Sequence, residues 1–260
     1  MIKKLLNAVF KPFGYELTRR KKRSDGLSAL YRQALDHLLV GSHTISIAQV
    51  GANDGRINDQ IYDFVMANKD RTKIILIEPQ VNVLPYLTEN YKDHPNATVV
   101  NCAIGAQGVL KLYRLNPEHY DRFVKRYLKD SPSYRVPTGF TSSIREHVVK
   151  HVKGNLPAGI SVEEAMEEIE VPCMPLKSAL QANGFPIALD LLQVDVEGMD
   201  DQVIFECAVS ETMPSFINFE YRHLAADRYK KLDDYLGALG YLTVRYNGAN
   251  ALAIRASVSR

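Results

Sequence analysis

Three short apolar runs, "TISIAQV" at 44–50, "KIILIEP" at 73–79 and "ATVVNCAIG" at 97–105, punctuate the first half of this chain, and the segments between them carry helical spacing. Ile57, Ile61, Phe64 and Val65 form one stripe after the first run, and Leu84, Leu87 and Tyr91 another after the second. A helix over 27–39 precedes them. Pro79 stops the second run, because proline has no amide hydrogen to offer a sheet ladder. Alternation of this kind, β-α-β-α-β, is satisfied by a parallel sheet with helices on both faces.

The same alternation returns after residue 168, with strands expected at "EIEVPC", "ALDLLQVDV" and "SFINFEY" and helices at "LKSALQANG", "DDQVIFECAV" and "RYKKLDDYLGALG". The final elements differ: "YLTVRY", the turn "NG" and "ALAIRA" read as an antiparallel hairpin. The expected fold is therefore α/β, a Rossmann-like doubly wound sheet that is mostly parallel and closes with a C-terminal antiparallel hairpin. Between about 113 and 167 the periodicity fades into a stretch rich in Tyr, Lys, Arg and His, too long for an ordinary connection and suited to a substrate-side insert.

At 260 residues and 46% hydrophobic composition, one core fits the chain, and a single domain over 26–260 is expected behind an N-terminal arm over 1–25. The net charge of +2 hides an asymmetry, since residues 1–23 carry +7 and the remainder −5. Leu5, Leu6, Val9 and Phe10 can share a helical face beside lysines, which suits either weak docking on an anionic membrane or packing against the body. The arm is neither a signal peptide nor a span. With the body negative, dedicated nucleic-acid binding is not expected. Cys102, Cys173 and Cys207 are far apart without metal-ligand spacing, which points to a reduced, cytoplasmic protein.

The turn "AQVGANDG" at 48–55 stands where an open α/β sheet binds ligands. Gly51 and Gly55 permit backbone angles closed to other residues, and Asn53 tolerates them. The spacing is G-x-x-x-G, neither the dinucleotide fingerprint nor a phosphate-binding loop, so a cofactor without a pyrophosphate is favoured. Glu78, 23 residues after Gly55 at the end of the second strand, can accept hydrogen bonds from both hydroxyls of a ribose. Together these suggest an adenosyl cofactor such as S-adenosylmethionine, with NAD as the rival.

Asp195 and Glu197 in "VDVEG" would face one side if their strand continued. Either a site at the strand end or a cap on the next helix accounts for them. Glu220 and His223 in "NFEYRH" add a further acid and a general-base candidate.

With these motifs the chain resembles the FkbM-type methyltransferases, a branch of the class I S-adenosylmethionine-dependent methyltransferases. The resemblance spans about 44–256 and rests on "VGANDG", "IEP", the Ser142–Ser143 pair and "VDVEG". It implies a seven-stranded sheet whose last strand inserts antiparallel, and methyl transfer to a hydroxyl of a sugar, glycolipid or polyketide-like molecule. It further implies that Gly51, Asn53 and Gly55 hold the methionine part of the cofactor, Glu78 the ribose, and Pro79, Cys102 and Ala103 the adenine. Asp195 and Glu197 would face the methyl group. The chain departs from the family at Gln49, where many members carry an acid, and at Gln193, where many carry lysine. Gln49 can still accept a hydrogen bond from the cofactor's ammonium, without charge.

The chemistry expected is proton removal from the acceptor by Asp195 or Glu220, aided by His223, with Glu197 orienting. A divalent metal on Asp195 and Glu220 is the less favoured version. Ser142 and Ser143, with Thr141 and Arg145, either close over substrate or begin a helix. Two other functions compete: an NAD-dependent sugar-modifying enzyme, and a non-catalytic relative tethered to a membrane glycan assembly.

Overall fold

The protein is described by a computed structural model covering residues 28–123, 129–156 and 159–256. The basic arm, with Leu5, Leu6, Val9 and Phe10, lies outside the described residues.

The apolar runs become strands buried on both faces. β1 (Ile45–Val50) is buried throughout and β2 (Thr72–Ile77) at all but Lys73. β1 runs parallel to β2 on one side and to β7 (Leu191–Val194) on the other. With β3 (Ala97–Val100), β8 (Phe216–Glu220), β9 (Tyr241–Arg245) and β10 (Asn250–Arg255) they form a seven-stranded sheet in the order β3-β2-β1-β7-β8-β10-β9. The pairs from β3 through β8 are parallel, whereas β10 lies antiparallel between β8 and β9. This is the Rossmann-like sheet with an antiparallel closing hairpin expected from the sequence.

Neighbouring residues on a strand face opposite sides, so each strand serves two cores. Ile47 and Leu76 pack beneath α1 (Ser28–Leu38), α2 (Tyr62–Ala67) and α3 (Leu84–Asn90), through side chains such as Leu35, Val65 and Leu87. Val50 and Ile75 pack on the other face beneath α7 (Leu176–Ala182), α8 (Asp200–Glu206) and α10 (Ala226–Ala238), against Leu180, Ile204 and Leu236. The second helix of that half, expected over "DDQVIFECAV", is shorter than expected, because Ala208 takes a left-handed φ of 46° and separates α8 from α9 (Val209–Thr212).

Two expected strands are placed differently. "ATVVNCAIG" is not one strand: Asn101 donates its amide to the carbonyls of Glu78 (2.9 Å) and Pro79 (3.0 Å), drawing the chain off the sheet after Val100. It resumes as β4 (Ala103–Ile104) in a second sheet, ordered β4-β6-β5. "EIEVPC" belongs to β6 (Met166–Met174), which pairs antiparallel with β5 (Gly108–Leu115) rather than joining the main sheet. The sequence reading had no strand at β5, whose mixed exposure leaves no clean apolar run.

The stretch 113–167 thus starts in one arm of this hairpin and ends in the other. Its helices α4 (Arg135–Thr138), α5 (Arg145–Lys153) and α6 (Val162–Ala165) enclose a small core of their own around Leu115, Phe140, Val148 and Val152. Among the described residues no helix is long and apolar enough to cross a membrane.

Candidate active site

A cavity of about 380 Å³ opens at the carboxyl ends of β1, β2 and β7, where strand order reverses. That is where open α/β sheets bind ligands, and the volume suits a small molecule. Gln49, Gly51 and Asn53 line it from the glycine turn, Glu78 and Pro79 from the end of β2, and Cys102 and Ala103 from the β3–β4 link.

The turn is built by close packing of its own backbone. Gly51 has φ +80°, and a Cβ there would sit 1.9 Å from the Asp195 carbonyl oxygen, so only glycine lets the turn lie against the end of β7. Gly55 serves the fold: a Cβ would meet Leu87 at 2.5 Å and Tyr91 at 2.7 Å, and the residue does not line the cavity. Asn53, also left-handed at φ 49°, donates its backbone N–H to Glu78 Oε2 at 2.7 Å. The Gln80 N–H reaches the other carboxylate oxygen at 2.9 Å. Burial raises the pKa of Glu78, and these two backbone hydrogen bonds pull it back.

Gln49 is committed within the protein. Its Nε2 donates to Asp59 Oδ2 at 2.5 Å, while its Oε1 is enclosed without a hydrogen-bond partner. Asp59 lines the cavity; its Oδ1 accepts from the N–H groups of Ile61 (2.8 Å) and Tyr62 (2.7 Å) at the start of α2. Burial raises its pKa, opposed first by the Gln49 hydrogen bond. Gln193 accepts from Tyr31 Oη (2.6 Å) and Asn218 Nδ2 (2.9 Å), an enclosed arrangement that satisfies a neutral side chain.

Helix α4 clamps the turn from the insert. Thr138 Oγ1 donates to Asn53 Oδ1 (3.2 Å), Tyr134 Oη to Asp54 Oδ2 (3.2 Å), and the Arg135 guanidinium to the Ile57 carbonyl (2.8 Å). Thr141 Oγ1 donates to Gln80 Oε1 at 2.7 Å. Ser142 is 2% exposed and donates to the Glu197 carbonyl at 3.2 Å, and both it and Ser143 line the cavity. Neither serine caps α5, whose N-cap residue is Ile144 and makes no side-chain cap hydrogen bond.

β7 ends at Val194, and Glu197 turns at φ 51°, so the strand does not carry both acids to one side. The Asp195 side chain is exposed to the cleft, although protein crowds around it. That desolvation raises its pKa well above the carboxylate range, with the charges of Glu197, Asp200 and Glu220 adding to it. Burial, then Glu197, pushes Glu220 up to about 7. Glu197 lies 3.5 Å from His147 Nε2 and Glu220 lies 3.5 Å from His223 Nε2; the two imidazoles meet edge to face at 5.2 Å. Burial lowers the pKa of His223, which favours its neutral form.

The sheet order, the glycine turn against β7 and the acid ending β2 agree with a comparison to known families: the model for the methyltransferase FkbM domain matches residues 49–243. The chain belongs to the FkbM methyltransferase family. No curated protein matched its sequence. Solved structures similar to this FkbM methyltransferase include a ribosomal protein L11 methylase from Lactobacillus delbrueckii subsp. bulgaricus, at 10% identity and TM-score 0.41 over 90% of this chain and 79% of that one. A precorrin-6y C5,15-methyltransferase from Geobacter metallireducens GS-15 gives 11%, 0.42, 93% and 95%. Aeropyrum pernix fibrillarin, solved with natively bound S-adenosyl-L-methionine, gives 10%, 0.41, 87% and 74%. At these scores the likenesses add nothing to what strand order and the family model show.

Several residues of this FkbM methyltransferase site escaped the sequence reading. Asp59 carried a signal, being an acid just before the first apolar residue of a helix. Arg135, Thr138 and His147 carried none, because the stretch between the arms of the β5–β6 hairpin shows no periodicity that would place them. A second cavity of about 410 Å³ adjoins the first, and Asn58, Gln60 and Asp195 belong to both walls. Glu220 lines only the second, and His223 lines neither.

Proposed function

We propose that this FkbM methyltransferase transfers a methyl group from S-adenosylmethionine to a hydroxyl oxygen of a sugar, glycan, glycolipid or related small molecule. The observation that carries it is Asp195, a carboxylate on the wall common to two adjoining cavities, an arrangement that supports a donor and an acceptor meeting there.

The residues present fit the donor. Glu78 offers a buried carboxylate at the end of β2 for a ribose, and Pro79, Cys102 and Ala103 supply the mostly apolar wall that an adenine needs. Gly51 and Asn53 bring backbone to the cavity, and Asp59 supplies an anion for an ammonium. The sulfonium supplies a methyl group already activated for in-line displacement. The protein's own share is alignment and proton removal. Asp195, with its raised pKa, accepts the acceptor's hydroxyl proton; Glu220 and His223 hold a second proton-accepting pair beside it, and Glu197 is oriented by His147. Ser143 stands on the donor side of the cleft.

Glu197, Glu220 and His223 bring three ligand atoms within 4.8 Å of one another, which is the observation behind a divalent-metal version. It is less favoured, since each carboxylate already faces an imidazole. Retained turnover after exhaustive EDTA treatment would dispose of it. An NAD-dependent sugar enzyme fits less well with the glycine spacing. A tethered non-catalytic role would leave cellular function intact when Glu78 is replaced.

The protein is proposed to act in the cytoplasm, with residues 1–23 touching the inner face of the membrane and no nucleic-acid partner. Liposome co-sedimentation with and without those residues tests the contact. The central test incubates the protein with methyl-labelled S-adenosylmethionine and a glycan panel, with products identified by mass spectrometry. A label on carbon or nitrogen, or none, would overturn oxygen transfer.

A further inference from the structure

Acids dominate the wall of the first cavity. Asp54, Asp59, Glu78, Asp195, Glu197 and Glu206 line it, and among the described residues on that wall Arg135 alone has a basic side chain. The guanidinium is supplied by α4, so it belongs to the insert rather than to the sheet. The amino-acid end of S-adenosylmethionine carries both an ammonium and a carboxylate. Any of these acids can serve the ammonium, whereas a carboxylate entering the same cavity needs a cation or a set of free N–H groups.

Turns of this kind often hold anions on spare backbone N–H groups, but this one has none to give. The N–H groups of Gly51 and Ala52 go to the Ile77 carbonyl (3.0 and 3.1 Å), and that of Gly55 goes to the Ala52 carbonyl (2.8 Å). Asn53 donates to Glu78 Oε2 (2.7 Å) and Asp54 to Asn53 Oδ1 (2.9 Å). The next two, from Arg56 and Ile57, both go to Asp54 Oδ1 at 3.0 Å. An anion is therefore left to the side chains.

Arg135 has donors to spare. Its Nε (3.1 Å) and Nη2 (2.8 Å) reach the Ile57 carbonyl, and Nε stands 3.6 Å from Asp54 Oδ2. A guanidinium presents a planar fork of N–H donors, and none of these contacts uses Nη1. Gly139 keeps room beside that nitrogen: a Cβ there would lie 3.2 Å from Nη1, although the glycine's own φ of −72° would admit any residue. With only 14% of its side chain exposed, Arg135 is held in place before any ligand arrives. Its charge is felt across the cavity, since burial raises the pKa of Asp59, Glu78 and Asp195 and Arg135 pulls each back.

We propose that Arg135 holds the α-carboxylate of the methyl donor, and that through this one side chain the insert admits donors with an intact amino-acid end and rejects decarboxylated ones. A guanidinium meets a carboxylate through two parallel N–H bonds, a fit that a lysine ammonium does not reproduce. This assignment rests on S-adenosylmethionine being the donor, as proposed above.

The test measures, by calorimetry on the full chain, affinities for S-adenosylhomocysteine, its decarboxylated analogue and its deaminated analogue. The wild type is expected to favour S-adenosylhomocysteine over the decarboxylated analogue by roughly tenfold to a hundredfold, the worth of a charge-assisted hydrogen bond. The sign is diagnostic, because the wall acids alone would favour the compound that has shed its negative charge. Arg135→Gln should abolish the preference: affinity for S-adenosylhomocysteine and for the deaminated analogue falls by that same factor, while the decarboxylated analogue changes by less than about twofold. Arg135→Lys, which keeps the charge without the fork, should keep part of the preference and provides the comparison where the glutamine variant does not fold. Equal losses for all three compounds in either variant would make Arg135 a support for the turn through Ile57 and Asp54, and would overturn the proposal. A wild type indifferent to the missing carboxylate would overturn it as well. A wild type that binds none of the three would instead remove the S-adenosylmethionine reading beneath it.

Discussion

Gln49 donates its amide to Asp59 at 2.5 Å, so the position at which many FkbM methyltransferases carry an acid is filled here by a neutral side chain holding a carboxylate from the following loop. The charge is displaced by ten positions in sequence and kept at the cavity wall.

Replacing Asp59 with Asn is therefore expected to weaken S-adenosylhomocysteine binding by about ten- to a hundredfold, the range for losing a charge-assisted hydrogen bond. Asn retains an oxygen for the Ile61 and Tyr62 N–H groups, so α2 keeps its start. Calorimetry with S-adenosylhomocysteine and a deaminated analogue checks it: the variant should lose affinity for the first and not for the second.

Asp195→Asn should lower turnover by roughly 10²- to 10⁴-fold, the usual worth of general-base catalysis, with cofactor affinity little changed. A base works deprotonated, so turnover should climb with pH through its raised pKa. Glu220 contributes a like charge that holds Asp195 up, and Glu220→Gln is expected to move the rising limb to lower pH. Loss of the limb together with activity in that variant would make Glu220 the base.

Gly51→Ala should destabilise the fold by about 2–3 kcal/mol, because its Cβ would lie 1.9 Å from a backbone oxygen at φ +80°. Urea unfolding measures the loss. Gly248, also at positive φ but with nothing near its Cβ, should lose less as alanine.

Asp200 is 1% exposed, and its Oδ2 has no hydrogen-bond partner. Burial raises its pKa well above the usual range, with Glu220 and Glu197 adding to the shift. A carboxyl whose pKa is higher folded than unfolded favours folding while protonated, and that advantage disappears as pH rises through the folded value. Asp200→Asn should therefore raise Tm at neutral pH and gain progressively less as pH falls towards 4, as followed by calorimetric scans. A gain independent of pH would assign the effect to packing.

What the sequence disclosed depended on whether a residue's partners were near it in the chain. Glu78 and Asp195 end buried strands, and their apolar runs announced both positions. The mostly parallel character of the main sheet and its antiparallel close followed from the alternation and the "NG" hairpin, whereas the strand order did not. Gln49 looked like a cofactor ligand because nothing in "AQVGANDG" says that its amide would meet Asp59. Gly55 looked like part of a cradle, although its missing Cβ makes room for Leu87 and Tyr91 on α3. β5 was illegible for a related reason: only two of its eight residues are buried, and its partner β6 begins 51 residues beyond its end. The histidines facing Glu197 and Glu220 come from the insert and from the loop after β8, a meeting that only the folded chain creates.

Strand β10 separates β8 from β9 and is antiparallel to both. During synthesis, β9 leaves the ribosome with no strand to lie against, and the edge of β8 stays open until residues 250–255 follow. The same residues bring Asn250 to its bond with Gln60 and close one wall of the second cavity. A nascent chain halted before them would already hold every residue that lines the first cavity while one wall of the second was still missing, so the two cavities are completed in turn as the chain is made.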